Sequence, residues 1–165
     1  MLFKRLVNHL FIWPGIVKRY FPKESMKRIE RVITTSETTH FGEICFVVES
    51  NLHVFDILRK KTANKRAIEV FSQFHVWDTA QNNGVLIYLL LADHDFEIVA
   101  DRGIHHHVGK EGWEQISREM EQLFKQGDFE LGVMYGISKI SEHLDQHFPS
   151  DGKNINELRN APVVI

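Results

Sequence analysis

Three short stretches of this chain carry side chains that could ligate a cation or move a proton. Glu37, His40 and Glu43 fall in the first, Asp78, Asn82 and Asn83 in the second, and Asp101, Arg102 and His105 in the third. Carboxylate and carboxamide oxygens are hard donors, which favour Ca2+ or Mg2+ over Zn2+. The expected ligands are Asp78, Asn83 and Asp101, with Glu37, Glu43 and His40 as further ligands or outer neighbours. The same groups support a second chemistry, metal-assisted hydrolysis of a phosphate ester. There a bound ion polarises a phosphoryl oxygen and activates water, Asp78 or Asp101 holds the ion, and Glu37 or His40 serves as base or acid. A third reading is purely structural, with the carboxylates neutralised by Arg66 or Arg102.

These stretches can act together only if the fold brings them together. Glu43–Glu49 is a compact apolar, β-branched run and reads as a buried strand. Residues 52–74 are helical in pattern, interrupted by the polar run from Arg59 to Arg66. Val85–Leu91 reads as a central strand, Asp93 to Asp95 as a tight turn, and Phe96–Asp101 as a returning strand. A connection of some 35 residues containing a helix makes the first two strands parallel. The short turn makes the third antiparallel. The class is therefore α/β, with a small mixed sheet built from a parallel crossover pair plus an antiparallel hairpin and covered by helices. In that topology the starts of strands one and two and the end of strand three share one edge. All three polar stretches arrive there, and pairing around a turn at His94 puts Asp101 opposite about Ile87.

Outside the sheet, Pro22 to about Thr35 forms a first helix, with Met26, Ile29, Val32 and Ile33 on one face. Trp113, Ile116, Met120, Leu123 and Phe124 mark another. Gly127 ends it and Asp128 can cap the next, which carries Val133, Gly136, Ile137, Ile140 and Leu144. The chain divides into a basic, aromatic arm (1–21), one domain (22–149) and a polar tail (150–165).

Composition bounds the function. The chain has 165 residues, 43% hydrophobic and 25% charged, with a formal net charge of −2. That is one ordinary globular domain with no general attraction for nucleic acid. A single cysteine, Cys45, excludes an internal disulfide. No run approaches the roughly 20 apolar residues of a membrane helix. The apolar run near the start is short, broken by Pro14 and followed by Lys18 and Arg19, so it does not read as a signal peptide. The expected location is cytoplasmic. The arm alternates Phe3, Leu6, Leu10, Phe11, Trp13, Ile16, Val17 and Tyr20 with Lys4, Arg5, Lys18 and Arg19. That pattern suits either a membrane interface or packing back onto the chain's own domain.

Other signals are weaker. His105, His106 and His107 are adjacent and cannot all face one ion. His143 and His147 are four apart but lack the glutamate of an HExxH motif. There is neither a GxxxxGK[ST] loop nor a GxSxG elbow. Asp93 and Asp95 sit in a hairpin turn, unlike the DxD of aspartyl phosphotransferases.

Several spaced pieces resemble the TPM domain, named for thylakoid-lumen phosphatase, photosystem II repair and receptor-modulator proteins. They are Glu37-x-x-His40-x-Gly42-Glu43-Ile44, Arg66-Ala67-x-Glu69-Val70-Phe71, Val76-Trp77-Asp78-Thr79, Asn82-Asn83-Gly84-Val85-Leu86-Ile87 and Glu97-Ile98-x-x-Asp101-Arg102-Gly103-Ile104. The similarity runs from about Met26 to Phe148 and is greatest to small soluble bacterial members, including the closing Asn156-Glu157-Leu158 and Pro162-Val163-Val164. It implies a three-layer α/β/α sandwich, binding of calcium or a similar cation, and in some members a weak acid phosphatase activity. It also implies an accessory or repair role with a protein or membrane partner. Many relatives carry a signal peptide and a C-terminal membrane helix; neither is recognisable here.

Overall fold

The two apolar runs 43–49 and 84–90 have no polar alternation, the pattern of strands covered on both faces. In the computed structural model, which describes residues 2–13, 15–152 and 156–165, they form β1 (Glu43–Glu49) and β2 (Gly84–Leu90). Every residue of both is buried. They pair in parallel from Glu43↔Gly84 to Glu49↔Leu90. β3 (Asp95–Ala100) returns antiparallel to β2.

The hairpin register differs from the sequence expectation. Ile87 pairs with Ile98, and Asp101 reaches Gly84, where its N–H donates to the Gly84 carbonyl at 2.9 Å. The cause is the turn. A 3-10 turn at Leu91–Asp93 followed by His94 in the left-handed region (φ 52°) centres the hairpin between Ala92 and Asp93 rather than on His94. The shift brings Asp101 closer to the loop before β2.

The tail also departs from expectation. Val163–Val164 forms β4, parallel to β1, giving the order β3-β2-β1-β4. Two residues are too few to show a period, but β1 has unpaired backbone on that side and the tail satisfies part of it. Ile165 N–H donates to Val48 O at 3.1 Å, and Ser50 N–H to Ile165 O at 3.3 Å.

Alternate strand residues face two cores, which makes the domain a three-layer α/β/α sandwich. Ile44, Phe46, Val85 and Ile87 face α3 (Lys23–Ser36), α6 (Arg102–Gln126) and α7 (Phe129–His147). Cys45, Val47, Leu86 and Tyr88 face α4 (Val54–Leu58) and α5 (Ala63–Gln73). The helical pattern is interrupted only at 59–62; the second half of the polar run, Ala63 to Arg66, is already the first turn of α5, which Thr62 caps through its side chain. α6 begins at Arg102, well before its apolar stripe, and kinks at Gly109 (φ 68°, ψ 171°). Gly127 closes it in the left-handed region, where glycine meets no steric penalty. Asp128 precedes α7 but makes no side-chain cap hydrogen bond.

The described residues of the arm fold onto the domain as α1 (Leu2–Leu10) and α2 (Ile16–Tyr20). Val17 and Phe21 enter the core beside α3. The interruption expected at Pro14 lies outside the described residues.

One backbone approach is unusually close. A Cβ on Gly84 would stand 1.9 Å from the Val76 carbonyl oxygen. The loop before β2 therefore presses on the strand's first residue, and backbone cannot move aside as a side chain can. Gly84→Ala is expected to destabilise the protein by about 1–3 kcal/mol, the usual range for overpacking. Urea denaturation checks this, as a lower midpoint at unchanged slope.

Candidate functional site

β1 and β2 start at the same end of the sheet, and β3 finishes there. Parallel pairing puts Glu43 beside Gly84, and the hairpin puts Asp101 beside Gly84 from the other side. The loop before β2 is held by its own polar groups. Thr79 Oγ1 accepts the Asn83 N–H at 3.0 Å, and Asn82 takes a positive φ of 54°. The loop then leans on the first turn of α6. Ile104 N–H donates to Asn82 O at 3.3 Å, and a Cβ on Gly103 would lie 2.4 Å from Asn82 O and 2.8 Å from Gln81 O. Glycine at 103 is what lets these carbonyls come so near.

Asp101 sits at this seam. It caps α6, its Oδ1 accepting the Arg102 N–H at 2.7 Å. Its Oδ2 is buried and has no hydrogen-bond partner among the described residues. Asn83 is fully buried, and both atoms of its carboxamide likewise lack a partner among those residues. Asp78 lies on the solvent side of the same loop, where its N–H donates to His75 O at 2.9 Å.

The remaining sequence candidates lie deeper. Glu37 caps the end of α3, and its Oε1 accepts the Ile44 N–H at 3.0 Å. Burial pushes its carboxyl up to about 8; the Ile44 N–H opposes this and the neighbouring Glu43 charge adds to it. Glu43 is fully buried and is pushed up to about 7, again mainly by burial. Its two oxygens accept the N–H groups of Glu157 (2.9 Å) and Leu158 (3.2 Å). His40 is buried with Nδ1 at 3.0 Å from Gly42 O, and burial lowers its pKa. A carbonyl accepts only, so that nitrogen carries the proton.

The structure thus grades the candidates by depth: Glu37, His40 and Glu43 inside, Asn83 and Asp101 at the seam, Asp78 outside. It also adds a segment that sequence patterning left in the tail. Glu157 accepts the Ala80 N–H at 3.1 Å while its own N–H goes to Glu43. Residues 157–158 therefore tie the starts of β1 and β2 together. Their only sequence signal is the short Asn156-Glu157-Leu158 piece, which carries no periodicity.

Neither arginine proposed as a neutralising partner makes an ion pair at this edge among the described residues. Arg66 binds Glu49 at the opposite end of β1, through Nε at 2.9 Å and Nη2 at 3.2 Å. Arg102 is exposed and makes no ion pair among the described residues. Elsewhere, His107 stacks on His147 with centroids 4.4 Å apart and planes at 14°. Among the described residues, no group of three or more His, Cys, Asp or Glu side chains is arranged to hold a metal. Any ion at the seam must therefore draw on carboxamide and main-chain oxygens as well as carboxylates, a donor set that suits calcium or magnesium.

A small mixed sheet between two helical layers, with Glu43, Asn83 and Asp101 brought together near Gly84, is the class that the fold defines. The TPM domain profile matches residues 18–143, and the chain belongs to that family. The chain is similar to BA42, a protein of the psychrophilic bacterium Bizionia argentinensis sp. nov. whose structure was solved by NMR. The two share 31% identity over 86% of this chain and 93% of that one, with a TM-score of 0.76. The N-terminal domain of a P. gingivalis protein, at 16% identity, shares the fold with a TM-score of 0.61 over 76% of this chain and 77% of that one. Comparison with curated proteins finds no match.

The two buried glutamates make stability depend on pH. Their folded pKa values lie above the ordinary carboxylate value, so the folded state holds protons that the unfolded state has released. That stabilisation is complete below about pH 4.5 and is lost as pH rises through about 7 for Glu43 and about 8 for Glu37. In chelator, the urea midpoint is expected to fall from about pH 7 to about pH 9, above the range where His40 titrates. Glu37→Gln, which keeps the neutral shape, should flatten the upper half of that fall.

Proposed function

We propose that this TPM domain binds one divalent cation, calcium or magnesium in preference to zinc, at the seam between the 78–83 loop and the start of α6. The reading gives it an accessory or repair role beside a protein or membrane partner. The observation that carries it is the pair of buried, unpartnered oxygens at one corner of the sheet, Asp101 Oδ2 and Asn83 Oδ1. Leaving such a group unsatisfied costs about 1–3 kcal/mol, more for a charged one. A hard cation removes that cost for both oxygens at once. Asp78, on the same loop, supplies a second carboxylate, and the Gln81 carbonyl held against Gly103 is a main-chain donor close by. The N-terminus of α6 is an unfavourable neighbour for a cation. Two carboxylates are therefore needed to offset it. Glu37 and Glu43 act as neighbours whose protons are more easily released once the ion is present.

Thermal melting tests this directly. An ion at about 100 times its dissociation constant stabilises by about 2.7 kcal/mol. For a chain of this size that raises Tm by about 5–10 °C. The expected result is such a rise on moving from chelator to millimolar calcium or magnesium, and a smaller one with zinc. The Asp78→Asn, Asp101→Asn double variant should lose the rise. It should still fold, because asparagine caps a helix as well as aspartate does and Asp78 is exposed. A parent that does not respond to any of the three ions would sink the proposal.

A further inference from the structure

The N-terminal arm is docked on its own domain, yet it leaves Phe3, Phe11 and Trp13 in water. Docking runs through a buried polar cluster. Arg5 grips Asp93 with two nitrogens, Nε to Oδ1 at 2.9 Å and Nη2 to Oδ2 at 2.6 Å, and Nη2 also donates to Lys61 O at 2.7 Å. His9 is buried; its Nδ1 accepts the Leu52 N–H at 2.9 Å, so its proton is on Nε2 and is donated to Asp93 at 2.9 Å. These bonds fix the rotation of α1 about its axis, and with it the stripe that faces outward.

That stripe is apolar. Phe3 is 78% exposed and Leu10 58%; they lie seven residues apart and so on one face. Phe11 (81%) and Trp13 (62%) continue it. A groove of about 330 Å³ joins Phe11 through Ile12 and Ile16 to Tyr20 on α2, so the surface runs on from one short helix to the next. Single exposed apolar residues are ordinary, but a contiguous aromatic patch marks an interaction surface.

Charge identifies what it meets. Residues 1–23 contain five Lys or Arg and no Asp or Glu, in a protein whose net charge is −2. Arg5 is consumed by Asp93. Lys4, Lys18, Arg19 and Lys23 make no ion pair among the described residues, and Lys4, Lys18 and Arg19 are exposed. Aromatic and aliphatic side chains ringed by unpaired cations, without an acid among them, match a bilayer surface. The rings enter the headgroup boundary and the cations meet anionic lipid. We propose that the face formed by Phe3, Leu10, Phe11 and Trp13 is a docking surface for an anionic membrane, used with the arm in its docked position. This does not depend on the cation site.

Co-sedimentation of the full chain with vesicles tests the proposal, in chelator so that no cation can bridge protein to lipid. With phosphatidylcholine vesicles containing about one-third phosphatidylglycerol, the parent is expected in the pellet. It should stay in solution with phosphatidylcholine alone, and binding should weaken severalfold as salt rises from about 0.1 M to about 0.5 M. Phe11→Ser, Trp13→Ser is expected to lower the partition coefficient at least tenfold, and Lys4→Gln, Lys18→Gln, Arg19→Gln to lower it severalfold. All these positions are exposed, so unchanged melting curves should confirm that both variants fold. Equal pelleting by the parent and the Phe11→Ser, Trp13→Ser variant overturns the proposal. So does a parent that stays in solution, including one that instead self-associates through this face.

Discussion

Seven residues of β1 and seven of β2 lie side by side with neither face open to water. A parallel pair cannot be joined by a tight turn, so α4 and α5 must intervene and both strands must start at the same end. From that follows where the polar residues go. The segments leading into β1 and β2 meet at one edge, and an antiparallel third strand has to finish there too. The interior of the pair is apolar throughout, so ionisable groups are pushed to the two ends of the strands.

The two ends are treated differently. Where β1 and β2 finish, Glu49 and Asp93 each have a cationic partner, while Asp95 beside Leu90 accepts only the Phe96 N–H among the described residues. Glu49 is held by Arg66 and also accepts the Tyr88 hydroxyl at 2.6 Å. Asp93 is held by Arg5 and His9; burial alone would raise its pKa, but these partners outweigh it and keep the carboxyl below its ordinary value. Where the strands start, Glu37 and Glu43 receive backbone N–H groups instead, and burial keeps their protons on to about 8 and about 7. Backbone donors offset only part of the cost of burying a carboxylate. The starting edge is thus where the two buried glutamates hold their protons up to about neutral pH or just above it.

The same contrast explains why the arm and the tail matter. Each is a terminal segment that completes one end of the sheet. α1 brings Arg5 and His9 to Asp93 at the finishing end. The tail brings the Glu157 and Leu158 N–H groups to Glu43 at the starting end, and then adds β4 along β1. Each segment adds apolar contacts to a core, Val17 and Phe21 from the arm and Leu158, Val163 and Ile165 from the tail, and each also makes polar contacts whose partners lie far away in sequence.

Local pattern was enough to read the central strands, the crossover, the hairpin and the apolar faces of α3, α6 and α7. Burial and backbone geometry act over a few residues, so residue type alone reports them. The convergence of Glu43, Asn83 and Asp101 near Gly84 was legible for the same reason, because strand direction follows from connection length. The hairpin register was not, since it turned on a 3-10 turn and a left-handed His94 that residue types do not announce. Nor were β4, the Glu157 bridge, the Arg5–Asp93–His9 cluster or the stacking of His107 on His147. Each joins residues about 40 to more than 100 positions apart. Arg66 shows the limit most clearly. Its charge made it a candidate partner for any of the acidic residues, and only the packing of α5 against the sheet assigned it to Glu49 and kept it from the other edge.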